Sequence, residues 1–154
     1  MQIRRAQAGE SALLSRIAFE SKSHWPYTAA QLALWRKDLS ITEDSIARHP
    51  VWVAQGEGAV ADGFFVLLPA PQHWVLEHFW VRPAAMGQGV GKALLAHAAR
   101  LAQQGGATAL CIDSDPHAEA FYLACGAQRV GAVPAPVPGE PGRVRPQMLL
   151  AWPA

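Results

Sequence analysis

The spacing of apolar residues predicts helices in the first quarter of the chain and again in its second half. One helix face recurs from residue 11 to about residue 22 and consists of Leu13, Leu14, Ile17 and Ala18. Pro26 disfavours helix at the residue before it, and Thr28 is a suitable N-cap for a second helix that includes Leu39. Two more helices are predicted over residues 92–104 and 116–124, because glycines follow both segments.

Between residues 49 and 81 the pattern changes to runs of β-branched and aromatic residues. Glycines and prolines separate three such runs, VWVAQ, AVADGFFVLL and WVLEHFWV, which together predict an antiparallel meander. The third run is apolar at both alternating positions, so we expect a central strand that is covered on both faces. A strand at residues 2–5 and the later runs ALCID, QRVGAV and MLLAW extend the sheet, and the proline-rich residues 134–146 are predicted to be a loop.

Composition narrows the class of protein. With 154 residues, 16% of them charged and a formal net charge of +1, the chain fits one domain over residues 1–154. It has no concentration of basic residues for nucleic acid and no apolar run near the roughly 18 residues that span a membrane. Cys111 and Cys125 are too far apart for a metal or redox motif and are interpreted as small buried residues, which favours a cytoplasmic location.

The candidate chemistry begins with a glycine cluster, residues 87–91, between the third meander strand and a predicted helix. Unpaired amides and the helix dipole at such a turn suit a phosphate group. A Walker A loop fails here, because Met86 stands at its first glycine and Ala93 replaces its hydroxyl. The spacing also departs from the dinucleotide fingerprint GxGxxG. A turn that serves only to pack the strand against the helix remains the structural alternative.

Two motifs in the right order resemble the GCN5-related N-acetyltransferase superfamily over nearly the whole chain. The first is the strand end 79–83 with the loop 86–91, where Met86 replaces the arginine or glutamine usual in the family. The second is residues 115–122, which match Asn-x-x-Ala-x-x-Phe-Tyr except for Asp115 in place of asparagine. The resemblance implies an α/β (α+β) fold with a mixed, mostly antiparallel central sheet of about six to seven strands and about four flanking helices.

The resemblance also implies a reaction and its partners. The chain would transfer an acetyl group directly from acetyl-CoA, its co-substrate, to a primary amine of a small molecule or to an exposed amino group. No metal, nucleic acid or membrane is implied, and a homodimer is possible. The implied acetyl-CoA-binding residues are Phe79, Trp80, Val81, Met86, Gly87, Gln88, Gly89, Val90, Gly91, Lys92 and Asp115.

The implied catalytic residues are Tyr122, as the acid that protonates the departing thiolate, and Glu77 or His78 as the base. Alternation along the strand points Glu77 and His78 to opposite faces, so the choice stays open with a preference for Glu77. Phe121 is expected to be core. The implied acceptor-binding residues are His24, Trp25 and Tyr27. Arg143 is a further candidate, because a guanidinium can bind a substrate carboxylate through two hydrogen bonds, although a solvated surface position is the ordinary expectation for it. A catalytically idle acyl-CoA-binding module is the alternative function.

Overall fold

The computed structural model describes residues 1–153, which contain seven β-strands and five α-helices. In chain order these are β1 (Gln2–Arg5), α1 (Ser11–Ser23), α2 (Ala29–Trp35), α3 (Glu43–Arg48), β2 (Val51–Gln55), β3 (Ala61–Leu68), β4 (His73–Val81), α4 (Val90–Gln104), β5 (Ala109–Asp113), α5 (Glu119–Ala124), β6 (Gln128–Pro134) and β7 (Val144–Ala151).

The strands form one sheet in the order β1-β2-β3-β4-β5-β7-β6. Strands β4 and β5 are parallel, from His73↔Ala109 to Leu76↔Ile112, whereas the pairs β1/β2, β2/β3, β5/β7 and β6/β7 are antiparallel. The predicted mixed, mostly antiparallel sheet is therefore confirmed. β4 lies at the centre of the sheet, as its sequence indicated.

Contacts along the chain group it into two compact units. Unit 1 contains residues 1–67 and 78–97, and unit 2 contains residues 68–77 and the chain from residue 98 onward. The boundary divides β4, so that His78 and the rest of its carboxyl-terminal half belong to unit 1. The expectation of one domain over residues 1–154 stays a prediction.

The core of unit 1 joins the apolar face of α1 to β2 and β3. Its members include Leu14 and Ile17, which the helix periodicity identified, together with Phe64 and Val66 of β3. Burying these side chains removes apolar surface from water, which stabilises the fold by about 25 cal/mol per Å² of buried apolar surface. The N-cap prediction is also confirmed, because the Thr28 hydroxyl accepts a hydrogen bond from the Gln31 amide in a capping box.

Two sequence expectations for unit 1 are wrong. The second helix ends at Trp35, so Leu39 lies outside it, and α3 was not predicted at all. α3 is only six residues long and is too short to show a helical period, although the Thr42 hydroxyl caps it by accepting from the Ser45 amide.

The expectation that both faces of β4 are covered is wrong as well. Leu76 is the only β4 residue that is buried, and the exposed fraction of Val75 is 36%. The neighbouring strand β3 is the one with a run of five fully buried residues, 63–67. Apolar residues at both alternating positions indicate that a strand is central in its sheet. They do not show whether other elements of the protein cover its two faces. The faces of β4 thus stay accessible although the strand is central.

Candidate active site

The exit of β4 is fixed to β3 by an ion pair that the sequence analysis missed. The Arg82 Nε and Nη2 atoms donate to Asp62 Oδ1 at 2.9 and 2.8 Å, and the Arg82 amide donates to the Asp62 carbonyl at 2.9 Å. The Asp62 side chain is only 13% exposed. Because the partners are 20 residues apart and belong to different strands, no local pattern links them.

The loop that follows, residues 86–91 (the glycine loop), is built for backbone contacts. Gly87 and Gly89 have φ angles of 78° and 83°, a left-handed conformation that only glycine adopts without strain. A Cβ at either position would have no atom within 4 Å, so conformation rather than close packing requires these glycines. Left-handed residues in such turns form concave arrays of amides that bind anions.

The glycine loop leads directly into α4, a helix of 15 residues that begins at Val90. The first amides of a helix have no partner within the helix, and its dipole places a partial positive charge at the same end. Gln88 and Lys92 are exposed, whereas Met86 is half-buried and its amide donates to the Pro83 carbonyl at 3.2 Å. The arrangement is therefore able to take a phosphate or pyrophosphate through backbone amides.

The implied acyl-binding residues Phe79, Trp80 and Val81 are all half-buried at the end of β4. Gly63 on β3 sets how closely the two strands approach, since a Cβ there would lie 2.6 Å from the Trp80 carbonyl oxygen and 3.1 Å from Leu94 Cδ1. Such a contact is impossible without a shift of backbone. Gly63 is thus a further residue that the sequence analysis missed, because its neighbours lie far along the chain.

The two candidate bases have different surroundings. Glu77 is exposed. His78 is half-buried, accepts a hydrogen bond at its Nδ1 atom from Trp80 Nε1 at 3.1 Å, and stacks on Phe64 with ring centroids 6.5 Å apart. Because an indole N–H can only donate, the Nδ1 lone pair is occupied, and the neutral ring carries its proton on Nε2.

In unit 2 the candidate acid Tyr122 lies on α5 and is 6% exposed. Burial raises the pKa of Tyr122, and Cys125 and Asp115 raise it further, so the phenol keeps its proton at neutral pH. The expectation that Phe121 is the core residue of the pair is wrong: Phe121 is half-buried and meets the Tyr122 ring edge-on at 5.3 Å. The short helix turns Tyr122 inward instead.

Asp115 precedes a 3₁₀ turn, Pro116–Ala118, that leads into α5. Its Oδ1 atom accepts from the His117 amide at 2.8 Å, and its Oδ2 atom faces Arg143 Nη2 at 3.4 Å. The Arg143 side chain is 4% exposed, so the expectation of a solvated surface arginine is wrong. The carboxylate of Asp115 draws the guanidinium inward, a partner that the sequence spacing did not reveal.

The remaining predicted residues lie in the segment between α1 and α2. His24 is exposed and meets Trp25 edge-on at 4.9 Å. Tyr27 packs against Trp35 at 4.8 Å, and both rings hold the ammonium group of Lys22, whose Nζ atom lies 5.1 and 4.4 Å from their centroids. Lys22 is 8% exposed, and this cation–π arrangement fixes the segment against α2.

Two features are absent from residues 1–153. No cluster of three or more histidine, cysteine, aspartate or glutamate side chains is suited to a metal ion. No helix in this range is both long and apolar enough to cross a membrane.

The acetyltransferase (GNAT) domain model matches residues 47–126, more than half of the chain. The matched segment contains β2 to α5 and therefore the glycine loop and Tyr122. The protein belongs to the GCN5-related N-acetyltransferase (GNAT) family. No curated protein matches the chain in a sequence comparison.

Solved structures show the same fold over almost the whole chain. A GCN5-related N-acetyltransferase from Rhodopseudomonas palustris superposes with a TM-score of 0.80 at 22% identity, covering 98% of this chain and 95% of that one. The PaiA N-acetyltransferase from Thermoplasma acidophilum in complex with coenzyme A has a TM-score of 0.79 at 17% identity, covering 98% of both chains. Apo YjaB from Escherichia coli has a TM-score of 0.68 at 25% identity, covering 98% and 96%.

Proposed function

We propose that the protein is an N-acetyltransferase that moves an acetyl group directly from acetyl-CoA to a primary amine of a small molecule or to an exposed amino group. The glycine loop is the observation that carries the proposal. In a chain of this family, two left-handed glycines and the start of α4 present backbone amides to an anion. The structural relative from Thermoplasma acidophilum, crystallised with coenzyme A, supports the same co-substrate.

The pyrophosphate of acetyl-CoA would be held mainly by the amides of residues 87–91. Backbone amides do not depend on the side chain at position 86, so the replacement of arginine or glutamine by Met86 is compatible with binding. Lys92, which is exposed two residues into α4, is placed to add a charge contact. In this proposal the amides of Phe79 to Val81 polarise the thioester carbonyl, and preorganised donors of this kind are often the largest catalytic contribution.

The chemistry requires a base, because a primary alkylamine has a pKa near about 10 and is mostly protonated at neutral pH. The nitrogen lone pair of the neutral amine attacks the carbonyl carbon, a C–N bond forms, and the C–S bond breaks. The extra proton on nitrogen leaves to solvent, and this balances the proton that the thiolate receives from its donor, which is restored from solvent. We assign the base to Glu77. Its exposed carboxylate can accept a proton directly or through water, whereas the Nδ1 lone pair of His78 is occupied by Trp80.

The departing thiolate requires a proton, and we assign its donation to Tyr122. The raised pKa of this buried phenol keeps it protonated at the pH at which the amine reacts. The acceptor amine would contact the segment that contains His24, Trp25 and Tyr27. Of these, Tyr27 is held in place by Lys22 and Trp35, and so it offers a rigid wall.

The experiment measures release of free CoA thiol from acetyl-CoA with a broad panel of primary amines. We expect turnover with at least one amine, a loss of about 10² to 10⁴-fold in kcat for Glu77→Gln, and a much smaller loss for His78→Gln. Glu20→Gln, which changes an exposed glutamate on α1, is the matched control and should leave kcat unchanged.

A catalytically idle module gives a different result in the same assay. It would bind CoA, seen as a rise in melting temperature with CoA concentration, yet show no amine-dependent thiol release with any member of the panel. That combination would contradict the proposed transfer reaction. If His78→Gln, but not Glu77→Gln, abolished turnover, the assignment of the base would be wrong while the reaction class stood.

A further inference from the structure

Unit 2 contains two Asp–Arg pairs with similar chemistry and opposite environments. Asp115 and Arg143 have side chains that are 8% and 4% exposed, and their closest atoms are 3.4 Å apart. Asp113 and Arg145, each two residues away, are 47% and 43% exposed and 2.8 Å apart. The surface pair is worth little to stability, whereas breaking a buried pair leaves an uncompensated charge. The two pairs should therefore respond very differently to substitution.

The buried pair connects two segments that are distant in sequence. Arg143 lies at the end of the proline-rich loop, where its amide oxygen accepts from the Ala135 amide at 2.9 Å and its Nη1 atom donates to the Ala135 carbonyl at 3.0 Å. Asp115 lies at the start of the turn that leads into α5. The Arg143 guanidinium thus links the carbonyl of Ala135, one residue after β6, to the Asp115 carboxylate at the entry to α5.

Asp115 holds the turn that leads into α5, the helix that contains Tyr122. Its carboxylate caps the 3₁₀ turn through the His117 amide, and its carbonyl accepts from the Ala118 amide at 2.9 Å, one residue before α5 begins. The other end of α5 is held where the Ala127 amide donates to the Tyr122 carbonyl at 3.0 Å. A carboxylate forced out of the turn to reach solvent would release the first of these anchors.

We propose that Arg143 is a positioning residue for Tyr122: by neutralising the buried carboxylate of Asp115, it keeps the turn before α5 in place and with it the phenol. The inference rests on the proposed role of Tyr122 as the acid. It also assigns Arg143 a task other than the acceptor contact that the sequence suggested. An asparagine at position 115 keeps the cap through its side-chain oxygen but needs no counter-charge, so the arginine is required only while residue 115 is an aspartate.

The test is a double-mutant cycle on Arg143→Met and Asp115→Asn, with kcat, KM and melting temperature measured for each variant. Arg143→Met removes the counter-charge that the proposal assigns to Asp115, and a displacement of about 1 Å in the acid can cost about 100-fold in rate. We therefore expect Arg143→Met to lose at least about tenfold in kcat, with KM for the amine nearly unchanged, whereas Asp115→Asn, which keeps the cap, should lose less than about threefold. The double variant should return to within about threefold of the wild type, because an asparagine at position 115 needs no counter-charge.

The exposed pair provides the matched control. Arg145→Met and Asp113→Asn make the same chemical changes two residues away and should leave kcat unchanged, singly and together. If Arg143→Met does not fold, Arg143→Lys, which retains the charge, and the double variant still decide the question: both should fold and turn over. A folded double variant with the low kcat of Arg143→Met would overturn the proposal.

A second background separates this inference from the proposed function. In Tyr122→Phe, adding Arg143→Met should cause no further loss of kcat, since the group that Arg143 positions is gone. A further loss by the same factor would show that Arg143 acts without Tyr122, for example on the acceptor, and would overturn the inference. If Tyr122→Phe itself left kcat unchanged, the acid role in the proposed function would fail instead.

Discussion

The glycine loop and the surroundings of Tyr122 are two opposite ways to build a site. The loop presents main-chain amides, a Cβ at Gly87 or Gly89 would face open space, and the side chain at position 88 is exposed. Tyr122 is a single buried side chain whose pKa is raised mainly by burial. Backbone conformation thus determines the glycine loop and packing determines the surroundings of Tyr122, so different substitutions should disable them.

The largest effect should come from Tyr122→Phe. Removing the hydroxyl removes the proposed proton donor but keeps the buried ring, so kcat should fall about 10² to 10⁴-fold. Affinity for CoA, measured by calorimetry, should change by less than about threefold, because the amides of the glycine loop are untouched. Equal losses in CoA affinity and in kcat would contradict the separation between the glycine loop and the surroundings of Tyr122.

The next largest effect is expected from a substitution that displaces β4, the strand that leads to the glycine loop. In Gly63→Ala the new methyl group would lie 2.6 Å from the Trp80 carbonyl oxygen, so β4 must shift, at a cost of about 1 to 3 kcal/mol in the free energy of unfolding. Urea denaturation measures this cost, and KM for acetyl-CoA should rise with it.

Gly131→Ala on β6 is the control for that substitution, because its nearest neighbour, Gln147 Cβ, is 4.0 Å away. An unchanged stability of Gly63→Ala would mean that the close approach of β3 and β4 is unimportant.

A smaller effect is expected within the loop itself. Gly89→Ala places a Cβ on a residue with a φ angle of 83°, which costs about 1 to 2 kcal/mol and should weaken CoA binding about 5- to 30-fold. Gly9→Ala introduces the same strain at a φ angle of 95° before α1 and should lower stability without changing CoA affinity. Retention of full affinity in Gly89→Ala would argue against a loop that binds through its conformation.

The smallest effect should follow Met86→Gln, which restores a side chain usual in the family. Since the amides of residues 87–91 are unaffected, CoA affinity should change by less than about threefold. A gain of more than about tenfold would show that side chains rather than amides dominate binding at this loop.

Most of the fold was predictable because the residues that begin and end its elements act on positions close to them in the sequence. Glycines and prolines delimit the meander, and the structure places β2, β3 and β4 within a residue or two of the predicted runs. The loop was also predictable, since its conformation depends on the glycines themselves. Thr28 marked the start of α2 for the same reason, as a cap acts on residues only three positions away.

The supports of the candidate site that escaped prediction depend on partners far along the chain. Gly63 is defined by the carbonyl of Trp80, and Arg82 by the carboxylate of Asp62. The burial of Arg143 depends on Asp115, 28 residues earlier. A single sequence contains no local signal for such pairs, and so the supports of the site were missed while its motifs were found.

The most direct test of the central claim is a titration of the ¹⁵N-labelled protein with CoA, followed by amide chemical shifts. We expect the largest chemical-shift changes at the amides of Gly87 to Gly91 and smaller changes at those of Phe79 to Val81. Met86→Gln should give the same pattern. Saturating shifts elsewhere with none in the glycine loop, or no shift at millimolar CoA, would contradict a backbone-built site for the co-substrate.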